Sequence, residues 1–285
     1  MTWADYEQEV FCECQRIFRD STVIKNTHIK GVHSNRQRQI DVLIRNTSID
    51  NIETSIVVDA KHYATKVDIK DVESFIGMLK DVNVDKGILV SEHGFTKSAI
   101  NRAHLGENNI EIDILNLGEL SLFQSTGAIP YAGSYGIILS SPFGWIADGK
   151  CTGISPVTLY QRGLSLDEAL QKKEWMYLQF WKKDESIKNV KQLIDYQNDN
   201  ILTMDNKANI EIQETDIILR KTRIRKYPTI EITGFKDFED FILFGVLYCP
   251  DNVISRNIGK LKYILNSAIP VKINQQTTNL PTHQS

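Results

Sequence analysis

The chain has 285 residues, of which 41% are hydrophobic and 24% charged, with a formal net charge of −3. That balance fits one or two soluble globular domains with ample material for a core. With no apolar run near the length of a membrane span and no signal-peptide character in MTWADYEQEV, a membrane-spanning helix is not expected and a cytoplasmic protein is.

From Trp3 to Phe18 the residues Trp3, Glu7, Val10, Cys14 and Ile17 recur at helical spacing, which predicts a helix with that stripe facing the core. Glu7 is then an acid on the buried face, whereas Glu9 and Glu13 face solvent; a rotated helix would leave Glu7 at the edge of the stripe. THIKGV (Thr27 to Val32) reads as an edge strand entering a turn at Gly31. Two strands follow, RQIDVLI (Arg38 to Ile44) and IVVDAK (Ile56 to Lys61), joined as a hairpin by the polar loop Asn46 to Thr54. Asp68 caps a helix with the apolar stripe Val72, Phe75, Ile76 and Leu79. GILVS (Gly87 to Ser91) is nearly all apolar, as buried parallel strands are. Thr96 caps a helix through Ala103, and IEIDILNL (Ile110 to Leu117) closes the series. Alternation of this kind predicts an α/β sheet with helices on its faces.

A Gly-, Pro- and Ser-containing segment, Gln124 to Ser134, predicts a boundary between a first domain, residues 1–124, and a second, residues 125–285. In the second, YGIILSS (Tyr135 to Ser141) reads as a strand and FGWIADGK as a turn-rich hairpin. The run Leu164 to Lys183, opened by a capping box between Ser165 and Glu168, predicts a helix whose aromatics anchor a core or stack bases. Strands are predicted over Asn209 to Glu214, Asp216 to Tyr227 and Thr229 to Phe235, and a helix over Ser255 to Asn266 before a polar, fraying tail. This mixture predicts an α+β domain. In the middle strand Lys221, Arg223 and Arg225 alternate and share a face, either as a phosphate-contacting ribbon or as a charged guard on a sheet edge. Cys12, Cys14, Cys151 and Cys249 lack zinc-like pairing and read as reduced structural thiols.

Asp-x-Lys occurs at Asp59-Lys61, Asp68-Lys70, Asp148-Lys150 and Asp205-Lys207, so the tripeptide alone says little. Only Asp59 closes a continuous apolar strand with a second acid, Asp41, on the strand before it. Carboxylates brought to the end of a sheet core are costly unless paired, and a divalent cation is the usual compensation where two converge. A lysine two residues on shares the face of Asp59 and suits phosphodiester hydrolysis. Around this pair, Gly31 and Ser34, RQIDV, VVDAKHY, DVESFIGML, GILVSE and GFTKSAINRA together resemble the Mrr-like branch of the PD-(D/E)XK nuclease superfamily, the type IV restriction endonucleases. The resemblance covers roughly the first 120 residues.

That resemblance implies a mixed central sheet flanked by helices and a Mg²⁺-dependent endodeoxyribonuclease, with Mn²⁺ able to substitute. It implies metal binding by Asp41, Asp59 and the Ala60 carbonyl, water orientation or deprotonation by Lys61, and a catalytic role for Glu7 behind the aromatic Tyr6. Ile40 stands where the superfamily name has Pro, and Asp59 fills a slot often held by Glu; the shorter acid would alter metal distance and rate. Arg36, Arg38 and Tyr63 are candidate DNA contacts, although Tyr63 would equally cap the core. Ser91 and the segment Gly94 to Thr96 offer a further anion site at a helix start.

DNA is the implied partner, with a second copy of the chain or a partner defence protein left open and no membrane. Antiviral defence is the setting that the resemblance suggests. The net acidity argues against a tight stand-alone DNA binder, though local fields outweigh totals. A non-catalytic nucleic-acid-binding or scaffold subunit, RNA cleavage, and gating by a partner or signal are the alternatives.

Overall fold

The computed structural model describes residues 1–49, 52–105, 110–121, 123, 126–130, 135–150 and 155–272. The first part of the chain contains α1 (Trp3–Ile17), β1 (Thr22–Lys30), β2 (Gln37–Ile49), β3 (Ile52–Lys61) and α2 (Ile69–Val82). After these come β4 (Lys86–Ser91), α3 (Lys97–Leu105), β5 (Glu111–Leu115) and the short α4 (Leu117–Leu120). The five strands form one sheet in sequence order, antiparallel from β1 to β3 and parallel from β3 to β5. Parallel neighbours need a crossover, and α2 and α3 supply the two.

Successive side chains on the central strands go to opposite layers. Val58, Ile88 and Val90 pack with Tyr6, Val10 and Cys14 of α1, while Val57 and Leu89 pack with Val72, Phe75 and Leu79 of α2. Burial on both faces is why GILVS carries no polar alternation. The expected stripe of α2 is buried as read, and Asp68 caps it in a capping box with Asp71.

Helix α1 departs from its expected face. Its buried stripe is Tyr6, Val10 and Cys14; Trp3 is 51% exposed, and Glu7 lies half-buried at the stripe's edge. Seating the Tyr6 ring against His62, with centroids 5.3 Å apart, buries aromatic surface in place of a carboxylate, which is the better exchange.

The remainder contains β6 (Thr126–Pro130), β7 (Tyr135–Ser140), β8 (Trp145–Asp148), β9 (Val157–Gln161), α5 (Leu166–Lys172), β10 (Trp175–Lys182) and α6 (Val190–Met204). Then follow β11 (Asn209–Glu214), β12 (Ile218–Arg223), β13 (Ile230–Asp237), β14 (Phe241–Cys249), α7 (Ile254–Ser267) and β15 (Ile269–Lys272). A seven-stranded antiparallel sheet has the order β11-β12-β13-β14-β10-β9-β8, and β15-β7-β6 form a smaller one. Leu261, Ile264 and Leu265 of α7 pack into the main core of this part, and α6 packs Leu193 and Ile194 against Phe235 and Ile242.

Several expectations are corrected. The run Leu164 to Lys183 is not one helix: α5 ends where Lys173 takes a left-handed φ of 57° and its N–H reaches back to Ala169 and Leu170. Beyond it Met176, Leu178 and Phe180 are buried while Trp175, Tyr177 and Trp181 are partly exposed, a period of two that suits aromatic-rich β structure. Strand β12 stops at Arg223, because Asp205 takes the Arg225 backbone N–H at 3.0 Å and its guanidinium at 2.6 Å. Arg225 therefore does not share the strand face of Lys221 and Arg223. Strand β12 is also interior, with β11 outside it, so the edge-guard reading of its charges fails. No element is expected over Phe241–Cys249 or Val190–Met204, yet these are a central strand and a covering helix.

Parts of other expectations fall outside the described residues: positions 124–125 and 131–134 of the boundary segment, Asp50 and Asn51 of the hairpin loop, Cys151, and the tail from residue 273. Cys12, Cys14 and Cys249 are free thiols. No helix of the described residues is long and apolar enough to cross a membrane.

The five-stranded sheet meets the rest of the chain through buried charge. Glu111 receives Lys86 Nζ at 2.7 Å, Lys260 Nζ at 3.2 Å and Arg256 Nε at 3.3 Å, while Arg162 reaches Asp113 at 3.0 Å. Burial would raise the Glu111 pKa, but Lys260, Lys86 and Arg256 overcome it and hold the carboxyl down at about 2.

Candidate active site

Strands β2 and β3 pair from Ile49↔Ile52 to Val42↔Val58, with an irregularity between Ile44 and Thr47, and then separate. The next residues toward the opening are Asp41 and Asp59. Instead of continuing the ladder, the Ala60 N–H donates to Asp41 Oδ2 at 3.0 Å. Meanwhile β3 stays bound to β4 through Asp59↔Leu89, Ala60↔Val90 and Lys61↔Ser91. The Asp59 main chain is thus fixed on one side while its carboxylate stands in the gap on the other.

Lys61 Nζ lies 2.8 Å from Asp59 Oδ2, and both side chains are mostly buried. Asp59 lies close enough to Asp41, and Asp41 to Glu7 from α1, for a shared proton to bridge each pair. Three acids from three elements therefore meet one lysine. Burial raises the pKa of all three, Asp59 to about 6. Like charge adds to it from Glu7 on Asp41, from Asp41 on Asp59 and from Asp59 on Glu7, while contact with Asp41 lowers Glu7 and contact with Asp59 lowers Asp41. Burial would lower Lys61, but the Asp59 charge and hydrogen bond outweigh it and raise its pKa.

Asp41, Asp59 and the Ala60 carbonyl suit a hard divalent cation. Magnesium uses one or two carboxylates and completes its shell with water and substrate phosphate rather than a closed protein cage. Among the described residues no three His, Cys, Asp or Glu side chains are grouped so as to hold a metal ion by themselves, so the fit rests on two carboxylates and a main-chain carbonyl. Glu7 Oε1 is buried without a hydrogen-bond partner, which leaves one acidic oxygen for a bound water or cation.

The remaining expected contacts divide. Tyr63 is 40% exposed, and its hydroxyl donates to Asp71 Oδ1 at 3.2 Å, so it stands beside Lys61 at the surface rather than capping the core. Arg36 is exposed, whereas Arg38 is paired with Asp81 at 2.5 Å. Ser91 is buried and donates to the Gly94 carbonyl at 3.0 Å, and Thr96 caps α3 through the Ala99 N–H. Lys221, Arg223 and Arg225 belong to the second sheet and its following turn, where Arg223 pairs with Asp251 at 3.2 Å and Arg225 with Asp205 at 2.6 Å.

Two supporting residues escaped the sequence reading. Asp81 sits in the last turn of α2, where the helix dipole disfavours an acid, and that misplacement was its signal. It accepts from the N–H groups of His33 and Ser34, the Ser34 hydroxyl and Arg38, and so pins the turn that enters β2. A Cβ on Gly31 would collide with this carboxylate, which explains the glycine. Glu92 follows β4 and lies 2.5 Å from His62 Nδ1, fixing the ring on which Tyr6 stacks.

No curated protein matches the chain. The crystal structure of a protein of unknown function, AF1548, is similar at 12% identity and a TM-score of 0.33, covering 44% of this chain and 68% of that one. The solution structure of cyanobacterial PsbP (CyanoP) from Synechocystis sp. PCC 6803 is similar at 13% identity and a TM-score of 0.33, covering 50% of this chain and 97% of that one. The family model Mrr_cat, described as a restriction endonuclease, matches residues 2–121. That span includes Glu7, Asp41, Asp59 and Lys61, so the candidate site lies wholly within the segment that is similar to the restriction endonuclease family.

Proposed function

We infer that the chain is a metal-dependent endonuclease that hydrolyses DNA phosphodiester bonds in restriction or antiviral defence. The observation that supports this most is the meeting of Asp41, Asp59 and Lys61 where β2 and β3 separate, with Glu7 closing the group. A decayed site would be expected to have lost at least one of these residues; here all are retained, and three buried acids share a single lysine.

In this reading Asp41, Asp59 and the Ala60 carbonyl hold Mg²⁺, with Mn²⁺ as a substitute. When bound, the cation supplies charge against the developing phosphate dianion and acidifies the attacking water. The Ala60 N–H fixes the Asp41 carboxylate, and Glu7 orients it from behind. Lys61, held on Asp59 and kept charged by it, is positioned to orient the water, and could take its proton only after that contact is broken. Tyr63 and Arg36 flank the scissile strand as contacts, Arg38 shapes the turn beside them, and Lys221, Arg223 and Arg225 are available to more distant phosphate. Residues 1–124 form the nuclease domain, and residues 125–285 an α+β domain for target recognition, signal sensing or partner docking.

The test is incubation of the purified chain with plasmid, linear duplex and single-stranded DNA in Mg²⁺, Mn²⁺ or EDTA, beside Lys61→Ala. Metal-dependent cleavage that the variant lacks supports the reading. A variant as active as the parent chain would overturn it.

A further inference from the structure

One face of the seven-stranded sheet carries a row of directly paired residues across four strands. Trp175 on β10 faces Tyr248 on β14, Tyr248 faces Glu231 on β13, and Glu231 faces Thr222 on β12. Directly paired residues point to the same side, so the row is a continuous floor, aromatic at one end and polar at the other. Helix α6 covers the neighbouring part of this face, where Gln197 and Asn198 bond Arg220, and ends at Met204. Past that end the row is roofed only by Ile201, Met204 and the turn from Ile224 to Thr229, which leaves a cavity of about 400 Å³.

The cavity has the features of a ligand site. Its volume falls within the roughly 300–1,000 Å³ that small-ligand pockets occupy. The Trp175 and Tyr248 rings form an offset stack, with centroids 5.2 Å apart and an interplanar angle of 26°, and both line the cavity. At the rim Tyr227 is 60% exposed and Met204 62% exposed, large apolar groups left in water beside an aromatic floor. Thr222 is 1% exposed, and its hydroxyl has no hydrogen-bond partner. Glu231 Oε1 already accepts from Arg220 and Thr233, whereas Oε2 accepts only from Tyr248 and retains acceptor capacity. Lys173 stands at the mouth on a left-handed residue.

Together these groups suit a planar ring with hydrogen-bond donors on one edge and an anion at the other end. We propose that this cavity binds a nucleotide, its base stacked on Trp175 and Tyr248 and covered by Tyr227, and its phosphate at Lys173. The base edge meets Glu231, so bases with an exocyclic amino group are favoured. The chemistry is the same for a free mononucleotide and for one unpaired nucleotide of a single strand. This site lies on the second sheet and does not depend on the nuclease reading.

The test is calorimetric titration of the full chain in EDTA, so that metal-dependent cleavage does not consume the ligand. The probes are the four nucleoside monophosphates, ribose 5-phosphate and a 12-residue single-stranded oligonucleotide. Tyr227→Ala and Lys173→Asn serve as variants, because Tyr227 is exposed and asparagine tolerates the left-handed backbone at residue 173. Mononucleotide binding weakened at least tenfold in both variants supports the proposal with a free ligand. Binding of the oligonucleotide alone, weakened equally, supports it with a strand as the source. The proposal is overturned if no probe binds, if ribose 5-phosphate binds as well as the nucleotides, or if both variants bind like the parent chain.

Discussion

The Ala60 backbone N–H donates to Asp41 Oδ2 at 3.0 Å, across the place where β2 and β3 stop pairing. A side chain here replaces the ladder acceptor, so Asp41 serves both the sheet and the acidic group. The two uses are separable. Asparagine at position 41 keeps an acceptor oxygen for Ala60 but removes the charge that would hold a cation. Asp41→Asn is therefore expected to fold with stability near that of the parent chain and to lose cleavage by at least ~10²-fold. Thermal unfolding measured beside a plasmid-nicking assay checks both halves. An Asp41→Asn chain that cleaves normally would remove Asp41 from the site.

Burial raises the pKa of Glu7, Asp41 and Asp59, and like charge adds to it from Glu7 on Asp41, from Asp41 on Asp59 and from Asp59 on Glu7, which makes the group a local source of instability when no cation is present. Glu7→Gln keeps the shape and removes one charge. In EDTA this variant is expected to be more stable than the parent by about 1 kcal/mol, a typical gain from relieving strain at a functional site. In Mg²⁺ it is expected to cleave more slowly and to need more metal for half-maximal rate. Denaturant midpoints in EDTA and a metal titration of the rate make the comparison. A loss of stability in EDTA would mean that Glu7 supports the fold and not the site.

Much of this site is visible in sequence because its chemistry sits on short, strongly patterned strands. Asp59 and Lys61 are legible from a continuous apolar run ending in two charges, and Asp41 from its equivalent place one strand earlier. Glu7 was harder. Helical spacing puts Trp3 and Glu7 on the stripe, whereas the structure buries Tyr6, because the partner that seats its ring, His62, is 56 positions away in sequence. In the second sheet the failure was one of period. Trp175 to Lys182 follows a true helix without a Gly or Pro break, and only the left-handed Lys173 separates them. Strand β14 gave no alternation to read, since its centre is buried on both faces and Gly245 lies where a Cβ would strike Leu261 and Leu178.

Asp81 receives four hydrogen bonds, and only one comes from an arginine. The Arg38 side chain is 42% exposed, so its pair is screened and worth at most ~1 kcal/mol. The His33 and Ser34 N–H groups and the Ser34 hydroxyl make part-buried hydrogen bonds to the same carboxylate, each worth roughly 1 kcal/mol. Arg38→Ala is therefore expected to lower stability only slightly, and Asp81→Ala by about 3 kcal/mol or more. Because the turn feeds directly into Asp41, Asp81→Ala should also slow cleavage in chains that remain folded. Urea unfolding of the two variants decides between a turn held by its backbone and one held by the ion pair; equal losses would favour the pair.

His104 faces the buried charges between the two sheets, and its Nδ1 has no hydrogen-bond partner. Burial, assisted by Lys172, Lys97 and Arg256, pushes its pKa down from 6.5 to about 3. The folded chain therefore keeps a neutral ring over a range in which the unfolded chain takes up a proton. Stability from this source is complete above pH 6.5 and falls as the pH drops toward 3. Glu111 acts lower: its carboxyl is held at about 2 against an ordinary 4.5, so its contribution is present above 4.5 and lost below. The two windows separate between pH 6.5 and 4.5, where His104 alone of the pair titrates. Across that interval it is expected to account for a loss of about 2–3 kcal/mol. His104→Gln, which cannot take a proton, should flatten the slope of unfolding free energy there by that amount and leave the fall below 4.5 in place. Denaturant unfolding at half-unit pH steps in parent and variant gives the difference directly, since other groups contribute equally to both chains. Parallel curves between 6.5 and 4.5 would mean that His104 is as easily protonated in the folded chain as in the unfolded one.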